Sequence, residues 1–246
     1  MLIVNADDWG LRPEVTDAIL ESWSAGAITA ASAMVGMDDS RRAARLGATH
    51  RIPLGLHLNL TTPFTAADAA ADRRLRQQRA TTYFAGPRRR RFLFDIRNRA
   101  LLDACVTDQL DAFAELYGAL PQRGDGHQHI QVCPTVLSTS SLGRLATLRG
   151  AHSFSAGQRS LANRAHRGAV NWALRRRFRS ARFLSLRDLH PKLGGDGLDA
   201  LATLAQREDI EVMVHPAWQD EREILLSSEW LHLLQQLPTG SHVDLR

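Results

Sequence analysis

A chain of 246 residues, 44% hydrophobic and 23% charged, has the apolar content of one globular domain with a sizeable core, which excludes a disordered chain or a string of small modules. Two cysteines, Cys105 in a helix-like pattern and Cys133 beside a proline, exclude a disulfide scaffold and a thiolate metal site. The net charge of +5 comes from 31 basic and 26 acidic residues, and the basic side is almost wholly arginine, with Lys192 the single lysine.

Leu2-Ile3-Val4 followed by Asn5 and Asp7-Asp8 reads as a buried strand ending at a polar edge. Its flanks carry no basic leader, and the apolar run is too short for a signal or membrane segment, so a cytoplasmic, reducing location is expected. Pro13 to Ser24 reads as a helix, with proline at its start, Val15 and Ile19 four apart, and Gly26 past its end. A strand over 28–35 and a helix over 39–46 repeat the order. In 54–60 the leucines at 54, 56, 58 and 60 share one face, which puts Gly55, His57 and Asn59 on the other.

Residues 62–100 break the rhythm. Arginine-rich stretches there enclose Tyr83, Phe84, Phe92 and Phe94, and one long excursion over the site, carrying short helices, is expected. Leu102 to Tyr117 then suits a helix, Gly126 to Val132 a strand, 135–147 a helix, 182–186 a strand, 198–206 a helix, Ile210 to His215 a strand and 222–237 a last helix. Alternating strands and helices in one domain predict a parallel α/β fold whose chemistry sits at the C-terminal strand ends. Asp7, Asp8, His57, His127 and His215 all fall at such ends.

Two adjacent carboxylates at a strand end are costly unless a cation stands between them, although the same pair alone would serve as a turn. His127 and His129 are two apart, so in an extended strand they project from one face, with Gln131 beside them. One aspartate and two histidines leave open positions at a metal ion, as catalysis needs. Such a site can also hold ferrous iron for oxygen chemistry, but the extra carboxylate and His215 favour hydrolysis, where a base and an acid are both required.

With these residues assembled, the chain resembles the YdjC-like carbohydrate deacetylases, which include chitooligosaccharide deacetylases and hopanoid-biosynthesis-associated deacetylases. Asn5-Ala6-Asp7-Asp8-Trp9-Gly10, Gly55 to Thr61, Asp125 to His129 and Met213-Val214-His215-Pro216 match that family's blocks in order. The resemblance implies a distorted TIM-like (β/α) barrel over 1–246 and metal-dependent removal of an acetyl group from an N-acetylated sugar. It places Asp8, His57 and His127 as ligands of one divalent ion, magnesium or zinc first. Asp7 takes the position of the catalytic base, and His215 that of the general acid. His129, Asn59 and Gln131 are expected to contact substrate or to support the ligands.

Three positions depart from the family pattern: Trp9 for phenylalanine, Gly126 for serine, and Gln131 for a third histidine. A homodimer fits the family. A lipid-linked, hopanoid-type acetyl sugar as substrate and a non-catalytic sugar-binding protein of the same fold are the alternatives. The arginine runs at 88–91 and 175–177, with Arg179 and Arg182, suit an anionic membrane surface or a solvated face. Nucleic acid is not expected as a partner, because stacking aromatics and recognised modules are missing around them.

Overall fold

The computed structural model describes residues 1–153, 160–189 and 198–245, so Lys192 lies outside the described residues. Seven parallel strands form one sheet: β1 Leu2–Trp9, β2 Ala30–Ala33, β3 Leu54–Leu58, β4 Arg123–Gly126, β5 Thr147–Leu148, β6 Arg182–Ser185 and β7 Ile210–Val214. Their spatial order is β5-β4-β3-β2-β1-β7-β6, with β1 paired to β2 on one side and to β7 on the other. The helices joining them are α1 Pro13–Ser24, α2 Ser40–His50, α3 Ala71–Ala85, α4 Ile96–Tyr117, α5 Pro134–Leu137, α6 Leu161–Arg175, α7 Leu186–Leu189, α8 Leu198–Arg207, α9 Gln219–Leu225 and α10 Ser228–Gln236.

The sheet curls until its two edges meet. Leu148 N donates to Arg179 O (3.1 Å), Arg179 N to Ala146 O (3.2 Å) and Ser153 N to Phe183 O (3.0 Å), joining the β5 side to the segment that becomes β6. The parallel sheet is the one that the alternating pattern predicts, and its curling gives the distorted barrel that the resemblance implies.

Strand alternation divides β1 between two environments. Leu2, Val4 and Ala6 join the main apolar core beneath the helices, whereas Ile3 packs with Ala30, Ala181 and Leu245 in a second, smaller cluster. Asn5 and Asp7, on the same side as Ile3, carry the strand's polar side chains into the barrel, where Asn5 Nδ2 bonds both Asp7 (2.8 Å) and Ser32 (2.9 Å). Among the described residues, no helix is long and apolar enough to cross a membrane.

Three expected elements differ. The helix over 135–147 is instead the single turn α5, a 3-10 turn Ser141–Arg144, and β5. Ser138 and Thr139 each return a hydroxyl to a carbonyl three residues back, Thr135 O and Val136 O at 2.7 Å, and such local bonds compete with helix propagation. The last helix divides into α9 and α10 because Ser227 caps the second, accepting from Trp230 N at 3.2 Å. The strand over 126–132 stops at Gly126, with consequences for the site. The excursion at 62–100 does carry helices: α3 and the 3-10 turn Arg88–Arg91, before α4 begins at Ile96.

Candidate metal centre

The site begins with a fault in β1. Its register against β2 slips between Ala6 and Trp9, and Asp8 takes a left-handed backbone at φ 72°. In a regular strand Asp7 and Asp8 would project to opposite faces; the bulge re-aims Asp8 so that both reach the barrel mouth. Trp9, the departure from the family's phenylalanine, is buried, and its indole N–H donates to Ala43 O at 3.2 Å.

His57, from β3, and His127, just past β4, meet Asp8 there. Asp8 Oδ1 lies 3.2 Å from His57 Nε2 and 3.1 Å from His127 Nδ1, with the two rings 5.6 Å apart and nearly perpendicular. All three donor atoms fall within 4.8 Å of one another. His57 turns its other nitrogen to Asp125, 2.6 Å away, which fixes the ring with Nε2 toward Asp8. A carboxylate behind a histidine in this way is the usual support of a metal-ligating imidazole. One carboxylate oxygen and two imidazole nitrogens, with room left for water and substrate, fit a divalent cation.

Asp7, His57 and Asp125 form a second close group. Its carboxylates, however, are already engaged. Arg149 clamps Asp7 through both guanidinium ends at 2.7 Å and reaches Asp125 at 2.9 Å, while Arg123 holds Asp125 at 2.7 Å. Burial opposes the charge on Asp7, but the Arg149 guanidinium outweighs it and holds Asp7 well below the usual carboxylate range. For His57, burial works against protonation, and Asp125, Asp7 and Asp8 together still raise its pKa to about 10. A cation at Nε2 therefore competes with a proton.

Beneath the mouth a charged cluster fills the barrel. Glu211 accepts from Arg149 Nε and Arg123 at 2.6 Å each, and His242 lies 3.1 Å from its other oxygen. Arg149 is fully buried.

His215 follows β7. Its backbone N–H donates to the buried Glu221 carboxylate at 2.6 Å, its Nδ1 faces the same oxygen at 3.8 Å, and its ring stacks on Trp218 at 4.0 Å. Arg187 anchors Glu221 from behind at 3.1 Å. Burial pushes the imidazole down, but Glu221, Asp7 and Asp8 outweigh it, so His215 is held above the ordinary histidine value.

The supporting residues fall out differently from the sequence expectation. His127 and His129 do not share a strand face. Gln128 and His129 are both left-handed, at φ 54° and 58°, so the chain coils through a 3-10 turn and turns His129 away to meet Phe183 at 5.6 Å. Part of His129 reaches solvent; the atoms packed around its ring and then the Arg149 charge lower its pKa to about 4, leaving a neutral imidazole. Gln131 is buried behind Arg149, donating to its carbonyl at 3.3 Å, and shares no face with the histidines. Asn59 does not face the opening either: its side chain folds the loop after β3, accepting from Thr61 N and Thr62 N and donating to Thr62 O.

The departures at 126 and 131 form a packed pair. A Cβ on Gly126 would lie 2.9 Å from both Gln131 N and Gln131 Oε1. Gly126→Ala must therefore push the turn that carries His127, and roughly 10- to 100-fold weaker divalent-ion binding by calorimetric titration is the expected result, with an unchanged far-UV spectrum. Unaltered affinity would show that the turn yields freely.

A family model described as YdjC-like protein matches residues 1–236. The chain belongs to the YdjC-like family. A carbohydrate deacetylase of Homo sapiens is 36% identical over 145 residues, 55% of this chain and 42% of that protein. A chitooligosaccharide deacetylase of Yersinia pestis is 29% identical over 139 residues, 55% of this chain and 52% of that one. The matched segment thus spans about half the length of these curated relatives. Among solved structures, a protein of Enterococcus faecalis provisionally described as a cellobiose-phosphate cleavage protein superposes with a TM-score of 0.66 at 19% identity, covering 96% of this chain and 94% of its own, which shows a shared fold.

Four features of this YdjC-like site were not singled out from the sequence: the support role of Asp125, the Arg149 clamp, Glu221 and Trp218. Arg149 follows β5, a strand that the sequence reads as the end of a helix, so its position carried no signal. Its partners come from three other strands, which no local pattern reveals.

Proposed function

We propose that this YdjC-like chain hydrolyses the acetamide of an N-acetylated sugar, of the chitooligosaccharide class, with a divalent cation held by Asp8, His57 and His127. The observation that carries the reading is the meeting of a cation-binding trio, an arginine-clamped carboxylate and a carboxylate-backed histidine at one barrel mouth. The cation supplies Lewis acidity, polarising the acetamide carbonyl and lowering the pKa of water.

Asp7 takes the proton of the attacking water. Its clamp by Arg149, Asn5 and Ser32 fixes the carboxylate's direction and keeps it ionised, so it is always ready to accept, though as a weak base. Attack on the carbonyl carbon gives a tetrahedral adduct of the substrate. His215, protonated because of its carboxylate neighbours, gives its proton to the amide nitrogen as the C–N bond breaks, releasing acetate and the free amino sugar. Glu221 and Trp218 hold the ring in place for that transfer. Neutral His129, at the rim, is placed to exchange hydrogen bonds with sugar hydroxyls.

The test is acetate release from N-acetylated chitooligosaccharides by chelator-treated protein, with and without added divalent ions, beside the Asp7→Asn variant. The expected result is ion-dependent release that the variant lacks while still binding the ion. Release without any ion, or full activity in the variant, would overturn the assignment.

A further inference from the structure

The excursion and α6 leave an unusual surface beside the site. Phe92, Leu93, Phe94 and Ile96 follow the 3-10 turn Arg88–Arg91, and each is more than half exposed. In α6 only Leu174 is counted among the buried residues, while Leu161 and Trp172 stand out into solvent and Arg176 lies over the Trp172 ring at 3.7 Å. At 100° per residue, Leu161, Gly168 and Trp172 fall on the helix face turned away from Leu174, and Arg164 and Arg175 lie on its flank.

The two elements touch through Phe92 and His166, whose rings are 6.3 Å apart. Between them a cavity of about 190 Å³, lined by Phe92, Ile130, His166 and Val170, reaches His129, two positions past the ligand His127.

The charges on this surface are predominantly positive: in 88–96 four arginines stand beside one carboxylate, Asp95, which accepts from Tyr83, Arg97 N and Asn98. Positions 160–187 contain eight arginines and no acidic residue. Arg88, Arg89, Arg164 and Arg175 form no ion pair with another described residue. Unpaired guanidinium groups interleaved with protruding phenylalanine, leucine, isoleucine and tryptophan match a layer that is anionic at its surface and apolar a few ångströms beneath. Nucleic acid would meet the charge and could stack on Phe92, Phe94 and Trp172, but it offers no apolar layer for Leu93, Ile96 and Leu161.

We infer that this face, formed by residues 88–96 and the outer side of α6, docks the protein on the surface of an anionic lipid bilayer. Arginines meet lipid phosphates while Phe92, Leu93 and Phe94 enter the headgroup boundary. Docking by this face sets the cavity at His129 against the headgroup layer.

The test is co-sedimentation of the whole protein with vesicles of phosphatidylcholine alone and of phosphatidylcholine mixed with phosphatidylglycerol, at low and high salt. The parent should bind the anionic vesicles, weakly or not at all the neutral ones, and less at high salt. Arg88→Gln with Arg89→Gln should weaken partitioning roughly tenfold or more, the attraction being additive per basic residue. Leu93→Ser with Phe94→Ser should weaken it as strongly and leave less salt-independent binding. Both pairs lie outside the ion-binding trio, so unchanged ion affinity and circular dichroism verify that the variants are folded. No vesicle binding by the parent, equal binding by the variants, or a patch-dependent shift with oligonucleotides or in the monomer–dimer equilibrium without vesicle binding would each overturn the inference.

Discussion

Exchanging Arg149 for methionine is expected to lower the unfolding free energy by about 3 to 5 kcal/mol, a large part of the roughly 5 to 15 kcal/mol that holds a typical domain together. Arg149 contacts Asp7, Asp125 and Glu211 inside the barrel, and all four side chains are buried. Without it Arg123 still pairs with Asp125 and Glu211, but Asp7 loses its arginine and is left charged in a medium that solvates charge poorly. A surface pair is different in kind: Arg76, bonded to Asp108 at 2.6 Å, is partly exposed, and Arg76→Ala should stay within about 1 kcal/mol.

The loss should also depend on pH with a definite sign. Asp7 and Glu211 have folded-state pKa values held below the ordinary carboxylate range. Depressed values contribute stability that is present above the unfolded-state pKa of about 4 and is lost as pH falls from there toward the folded values. The methionine variant lacks that contribution. Urea midpoints should therefore differ widely between parent and variant at neutral pH, still differ near pH 4, and draw together only at about pH 2 and below, as the carboxylates of the parent protonate; a constant gap would sink the account.

Replacing His215 by alanine should reduce kcat by about 10²- to 10⁴-fold while leaving ion affinity unchanged, because in the proposed mechanism the residue lies outside the trio and acts on the departing nitrogen. A general acid works only while protonated, so activity should fall as pH rises through the His215 pKa. That limb is expected above the ordinary histidine value of about 6.5, since Glu221, Asp7 and Asp8 outweigh the effect of burial. Glu221→Gln keeps the shape, removes the charge and should move the limb toward lower pH. A limb that stays put in Glu221→Gln, or full activity in His215→Ala, would take the acid role from this residue.

The barrel was legible in the sequence because its strands are short apolar runs divided by amphipathic helices, and the candidate site because four residues, Asp8, His57, His127 and His215, lie at or just past the ends of such runs. Failure came where backbone conformation departs from strand periodicity. Alternation predicts His127, His129 and Gln131 on one face, but Gln128 and His129 are left-handed, and non-glycine residues give no pattern that announces it. Asp125 and Glu221 were passed over because a carboxylate that supports a histidine looks, in one dimension, like any strand-end or turn residue. The charged cluster was invisible for a related reason, its members being contributed by β1, β4, β7 and the segment after β5.

Left-handed backbone in non-glycine residues is confined, among the described residues, to Asp8, Arg51, Gln128 and His129, and Arg51 merely closes α2. The other three belong to the candidate site: Asp8 is one of its three candidate ligands, and Gln128 and His129 directly follow another, His127. Glycine at any of them would relax the main chain, as would asparagine at Asp8, so selection for folding alone pulls these positions away from the residues they hold. If the proposed chemistry is what holds them, a copy of this chain released from it would gain stability first by substitution at these positions rather than in the core.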